Sequence, residues 1–213
     1  MPKKSKHQSV ILQEQRGDRL TDRKRCAILQ AAVQEFQSRG FYSASMNGIA
    51  EVASVSKRTL YNHFESKDAL FDAMVQELLS RAKQLPNADF DPTRDLAEQL
   101  TELAESEVEF MTSDAVMALA RACISRVLAE PEVGKQVDQR QFRHRIETWI
   151  GQAQASGYLV ESDCEVVAAQ FCGLLQTFAF WPTILQGEPG PSRKKKQQIV
   201  ASTVAMILSQ YQA

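Results

Sequence analysis

Ser45–Leu70, SMNGIAEVASVSKRTLYNHFESKDAL, is the stretch on which the fold turns. Ser45 opens a short helix with Met46, Ile49 and Ala53 on one face. Ser56 caps a second helix over Lys57–Phe64, which buries Leu60 and Phe64 at i, i+4. Ser66 caps a further helix with Asp68 in its first turn, where a carboxylate suits the dipole. Two short helices joined by three or four residues, the second opening with Ser-Lys-Arg-Thr, have the pattern of a helix-turn-helix. The first braces the second through Ile49, Ala53, Val55 and Leu60. Lys57, Arg58, Thr59, Tyr61 and Asn62 then face solvent, mixing charge for phosphates with donors and acceptors for base edges.

Working outward, Thr21 is placed to cap a preceding helix with the apolar stripe Leu29, Ala32, Val33 and Phe36, and Gly40 stops it. On the other side Leu70, Met74 and Leu78 form a stripe that Pro86 ends. Beyond it the rhythm lengthens, and helices are expected over 92–111, 114–129, 133–156, 162–185 and 192–212. The expectation is an all-α protein of about nine helices. It comprises a basic arm over 1–20, a three-helix head over 21–66, and a helical body over 67–213.

Charge is divided along the 213 residues. Residues 1–70 hold twelve Lys and Arg against seven Asp and Glu, whereas the remainder holds thirteen against nineteen. A basic head on an acidic body points to a polyanion partner for the head alone. Lys3, Lys4, Lys6, Arg16 and Arg19 of the arm suit the DNA backbone or minor groove, or a solvated tail. Cys26, Cys123, Cys164 and Cys172 show no CxxC and no Cys/His pairing, which fits reduced thiols of a cytoplasmic protein and no metal or other cofactor. Val10–Leu12 is too short an apolar run for a signal peptide. The uncharged run Val166–Gly187 contains Gln170, Gln176, Thr177 and Pro182, and reads as a helix buried on all sides rather than a membrane span. There is no G-x-S-x-G, P-loop, H-E-x-x-H or dinucleotide fingerprint, and His7, His63 and His144 lie far apart, so no catalytic residues are assigned.

At Ile49, Ala50, Ala53, Val55, Ser56, Thr59, Leu60, Tyr61, His63, Phe64, Lys67 and Leu70 the segment resembles the DNA-binding head of the TetR family of repressors. Ala31–Phe36 and Gly40–Phe41 extend the likeness, which covers residues about 24–75; the rest is similar only in length and helical character. The resemblance implies phosphate contacts from Ser45, Tyr61, His63 and Lys67, and base-edge contacts from Lys57, Arg58, Thr59 and Asn62. Two positions depart from the family pattern, each with a residue other than the usual Gly. Ser54 fills the turn, where a left-handed backbone adds strain of about 1 kcal/mol. Arg58 stands at the tip of the second helix, where a guanine or a phosphate is within its chemistry.

In the body, Phe171, Leu174, Leu175, Phe178 and Trp181 cluster on one expected helix, while Val200, Val204, Ile207, Leu208 and Tyr211 recur on the last. Either these stripes finish the monomer's own core or they form an isologous four-helix interface; the resemblance implies the homodimer, with Leu174, Leu175, Trp181, Val200, Val204, Ile207, Leu208 and Tyr211 in it. It also implies a small-molecule effector in the body. The candidate lining is Phe110, Met111, Met117, Cys123, Trp149, Phe171 and Phe178, suited to an apolar or aromatic ligand or to plain core. The resulting reading is a repressor that binds a near-palindromic operator as a dimer and is released by its effector. The alternatives are an effector-independent or architectural DNA-binding protein and, more remotely, an all-helical enzyme.

Overall fold

The computed structural model describes residues 6–86 and 88–213, with side chains from Leu20 onward. The helices are α1 Lys6–Ser43, α2 Met46–Val52, α3 Lys57–His63, α4 Lys67–Lys83, α5 Leu96–Met111, α6 Asp114–Ala129, α7 Pro131–Lys135, α8 His144–Ala155, α9 Cys164–Ala179, α10 Trp181–Gln186 and α11 Arg193–Tyr211, with a 3₁₀ turn at Gln139–Phe142. Among the described residues the only β pairing is an isolated antiparallel bridge between Leu159 and Gln212. The arm cations Lys3 and Lys4 lie outside the described residues, as do the side chains of Lys6, Arg16 and Arg19.

The fold is all-α as expected, and its differences from the sequence reading have local causes. Thr21 does not cap α1 but lies inside it, since no proline interrupts the chain between Pro2 and Pro86. Gly40 breaks α1 with φ 75° and ψ 162°, a conformation costly for any side chain. The helix expected over 133–156 is divided because Asp138 accepts from the Arg140 amide and turns the chain into 3₁₀ geometry. The uncharged helix ends at Ala179 and restarts as α10, where Pro182 has no N–H to continue the ladder. These two interruptions bring the count to eleven α-helices among the described residues.

The chain divides into two compact units. One comprises the residues up to Gln76 together with Ala122–Glu130. Its core holds Ile28, Phe36, Ile49, Leu60, Leu70, Phe71 and Met74. The last two turns of α6 belong to it, and Arg126 anchors them. The Arg126 guanidinium lies 3.7 Å from the centroid of Phe41 and 4.4 Å from that of Phe71, and pairs with Asp68. The other unit comprises Glu77–Arg121 and Pro131–Ala213. There α5, α8, α9 and α11 enclose Leu100, Ile146, Trp149, Ile150, Phe171 and Leu175. No helix of the described residues is long and apolar enough to cross a membrane.

Candidate nucleic-acid interface

The helix-turn-helix is built by caps. Ser45 accepts from the Gly48 amide at 3.0 Å and starts α2; Ser56 accepts from the Thr59 amide at 3.1 Å and starts α3. Between them the amide of Ser54 donates to the Glu51 carbonyl and that of Val55 reaches back to Ala50, both at 3.0 Å. This is a Schellman ending, which requires a left-handed residue at Ser54. Ser54 has φ 54° and is the only non-glycine residue with positive φ among those described. The turn thus exists as the sequence predicts, with a side chain where glycine is unstrained.

Leu60 is wholly buried and Phe64 nearly so, which fixes the opposite face of α3 outward. Lys57, Arg58, Tyr61 and Asn62 are exposed, and Thr59 and His63 are half-buried. The Thr59 hydroxyl lies 2.9 Å from that of Ser56, so it supports the cap as well as facing the surface. α2 seats closely on α1. A Cβ on Gly48 would lie 2.6 Å from the carboxylate oxygen of buried Glu35, which pairs with Arg39 at 3.3 Å. That seat gives no local signal in sequence, because Glu35 reads as an ordinary solvent-facing helix residue.

Lys67 is placed differently from expectation. Its ammonium donates to the carbonyls of Phe41, Tyr42 and Ala44 at 2.8, 3.0 and 3.0 Å. All three donors have acceptors within the protein, so the side chain ties the end of α1 to α4 and has no proton left for a phosphate.

In the other unit the expected pocket residues do not gather. Met111, Trp149 and Phe171 fill the core, Phe110 packs at its edge, and Phe178 is 55 % exposed. Met117 is half-buried, and Cys123 is buried in the first unit. A cleft of about 460 Å³ lies elsewhere, its lining including Lys83, Leu85, Ala88, Glu107, Phe142 and Arg145. None of the seven expected residues lines it. The reason is compositional: aromatic and Met side chains at helical spacing are consumed by close packing, and the charged side of the cleft, Lys83, Glu107 and Arg145, reads in sequence as solvated helix surface.

The expected dimer residues divide in two. Leu175, Val200, Val204 and Ile207 turn into the unit's own core and are corrected accordingly. Leu174, Leu208 and Tyr211 are half-buried, while Trp181 is exposed. Val166, Phe178 and Met206 add to an outward apolar face, and a groove of about 430 Å³ runs along it between α9 and α11.

Residues 98–213 match a family model described as the AefR-like transcriptional repressor C-terminal domain, and residues 28–74 match that of the bacterial regulatory proteins of the tetR family. The chain belongs to the TetR family. A TetR-family regulator from Pseudomonas syringae pv. tomato is similar over 90 % of this chain and 98 % of its own, with 36 % identity and a TM-score of 0.80. The flavonoid-responsive regulator FrrA is similar over 90 % of this chain and 98 % of its own, with 26 % identity and a TM-score of 0.68. The transcriptional activator FasR of Mycolicibacterium smegmatis is 32 % identical over 123 residues, 57 % of this chain and 56 % of that protein. The chain matches about half the length of such curated relatives. The TetR-family body is thus recognised by sequence as well as by helical character. This accounts for a head-and-body plan that the residues 45–70 alone cannot specify.

Proposed function

We propose that this chain is a ligand-responsive transcriptional repressor that binds a near-palindromic operator as a homodimer in the cytoplasm. Its DNA-reading residues are Lys57, Arg58, Thr59 and Asn62, with Ser45, Tyr61 and His63 on phosphates. The segment 21–66 reads the DNA, and the segment 67–213 pairs two copies and holds the effector. The observation that carries this reading is the outward face of α3, charged and amide-bearing, fixed by buried Leu60 and by the strained turn at Ser54. One seven-residue helix reads few base pairs, so a two-fold pair of heads supplies the rest. The outward apolar face of α9 and α11 supports pairing through that side.

An effector acts by population shift. DNA favours one spacing of the two heads and the ligand favours another, and each weakens the other's binding by the same factor. The C-terminal family description supports repression, and FasR shows that a relative can carry the name of an activator.

The test is selection from random duplexes with the full chain, followed by fluorescence anisotropy at several salt concentrations. The expected product is a two-fold symmetric site bound with steep salt dependence. Asn62→Ala should alter base preference, whereas Lys57→Ala and Arg58→Ala report whether each contact is to phosphate by lowering the salt slope by about 1. Absence of any sequence preference at modest salt overturns the reading.

A further inference from the structure

We propose that the cleft beside Arg145 binds a small aryl carboxylate, which takes the place of the Glu107 carboxylate on the Arg145 guanidinium. This deepens the effector reading given above by naming the ligand chemistry.

The argument starts from Arg145. One of its terminal nitrogens donates to the Pro86 carbonyl at 2.7 Å. The other reaches the Ser106 hydroxyl at 2.8 Å and Glu107 at 2.9 Å. Its Nε is buried and has no partner. A guanidinium presents five donors in a rigid fork, and a buried donor left unmade costs free energy. This residue is therefore held in a carboxylate-binding pose and is incompletely satisfied there.

The carboxylate it holds is a poor permanent partner. Glu107 is 7 % exposed, and burial raises its pKa, with Arg145 opposing the shift. Once the guanidinium is taken by another carboxylate, Glu107 can stay buried by accepting a proton. The incoming charge also meets Lys83, which lines the cleft and makes no ion pair among the described residues. Chemically, one carboxylate replaces another in a place already shaped for it. A phosphate has no such precedent here.

The rest of the ligand follows from the walls and the volume. Phe142 offers a flat ring and Leu85 and Ala88 offer apolar contact, and about 460 Å³ lies within the range of small-molecule sites. An aromatic ring bearing one carboxylate matches the apolar Phe142, Leu85 and Ala88 and the cationic Lys83 and Arg145, while Asp89 in the same lining disfavours a second negative charge.

The experiment is isothermal titration of the full chain with 2-naphthoate, using the uncharged isostere 2-naphthamide as control. The expected result is saturable binding of the acid, with the amide at least about tenfold weaker, the difference a lost charge-assisted contact makes. Glu107→Gln should tighten 2-naphthoate about tenfold by removing its competitor, and Arg145→Gln should abolish binding. Because Arg145→Gln also removes two structural hydrogen bonds, Glu107→Gln is the variant that decides. Equal binding of acid and amide, no binding of the acid, or unchanged or weaker binding to Glu107→Gln each overturns the proposal. Operator affinity measured without probe tests the regulator reading separately, so a failure of one is not a failure of the other.

Discussion

At Ser54 the chain carries a side chain into a left-handed turn for which glycine is the relaxed choice. The strain is about 1–2 kcal/mol, and the greater freedom of glycine in the unfolded chain takes back about 0.5–1 kcal/mol. Ser54→Gly is therefore expected to stabilise the protein by about 0.5–1 kcal/mol, raising Tm by roughly 2 °C in a calorimetric scan. An unchanged or lowered Tm would show that the serine has a compensating contact. Lys67 gives the opposite sign. Lys67→Ala leaves three carbonyls without their charged donor and should cost about 2 kcal/mol in denaturant unfolding. The salt dependence of DNA binding should stay as it is; a slope lowered by about 1 would restore this lysine to the phosphate contacts.

The buried thiols of Cys123 and Cys172 set a limit at alkaline pH. Burial pushes each up to about 12. Both groups are protonated in the folded state where an unfolded thiol, near 8.5, has begun to ionise. Their contribution is thus fully present below pH about 8.5 and is lost as pH rises toward 12. Stability measured from pH 8 to 10.5 should fall, and less steeply in Cys123→Ala and Cys172→Ala than in the parent. The same shift makes Cys123 a poor redox sensor, because the reactive thiolate is scarce at neutral pH. Cys26, exposed on α1, is the thiol expected to react first with a maleimide.

Among elements, Arg126 ties the end of α6 to α1 and α4. Arg126 lies against the Phe41 and Phe71 rings, which meet nearly edge to face, pairs with Asp68 on α4, and reaches Glu130 one turn on. Arg126→Ala should cost about 2 kcal/mol and lower Tm by roughly 4–8 °C. Arg126→Lys should recover less than half of the loss, since a compact ammonium can neither stack on an aromatic face as a guanidinium does nor reach Asp68 and Glu130 from separate nitrogens. Full recovery by lysine would mean that charge alone matters. Nothing in the sequence marks this latch, because Arg126 reads as a last-turn cation suited to the helix dipole. What was legible were local signals: the caps Ser45, Ser56 and Ser66, the limits of α6, and the stripe Leu29, Ala32, Val33, Phe36, all buried. What was not legible depends on pairings far apart in the chain. Arg145 with Glu107 is 38 residues distant, and each alone resembles a solvated helix face. For the same reason nothing local marks the cleft, whose charged Lys83, Glu107 and Arg145 come from α4, α5 and α8.

For the whole molecule, the uncharged stretch of α9 from Val166 on obscures which of its faces is inward, since apolar periodicity is equally good on both sides. The structure assigns Leu175 and Phe171 to the core and leaves Val166, Phe178 and, with α11, Met206 outside. Outward apolar groups beside a groove need covering, and under the two-fold pairing proposed above each meets a symmetry mate. Met206 is 51 % exposed in the single chain, so an aspartate there should leave the monomer folded. In a pair, two aspartates enter the buried interface together, and each desolvated charge without a partner costs several kcal/mol. Met206→Asp is therefore expected to weaken dimerisation at least about 100-fold, a loss of about 2.7 kcal/mol or more. Its helical circular dichroism should match the parent, and light scattering at micromolar concentration should give the monomer mass. Operator affinity should fall with dimerisation while binding to an isolated half-site stays as before. A variant that remains dimeric with full operator affinity would move the pairing surface away from the α9–α11 groove.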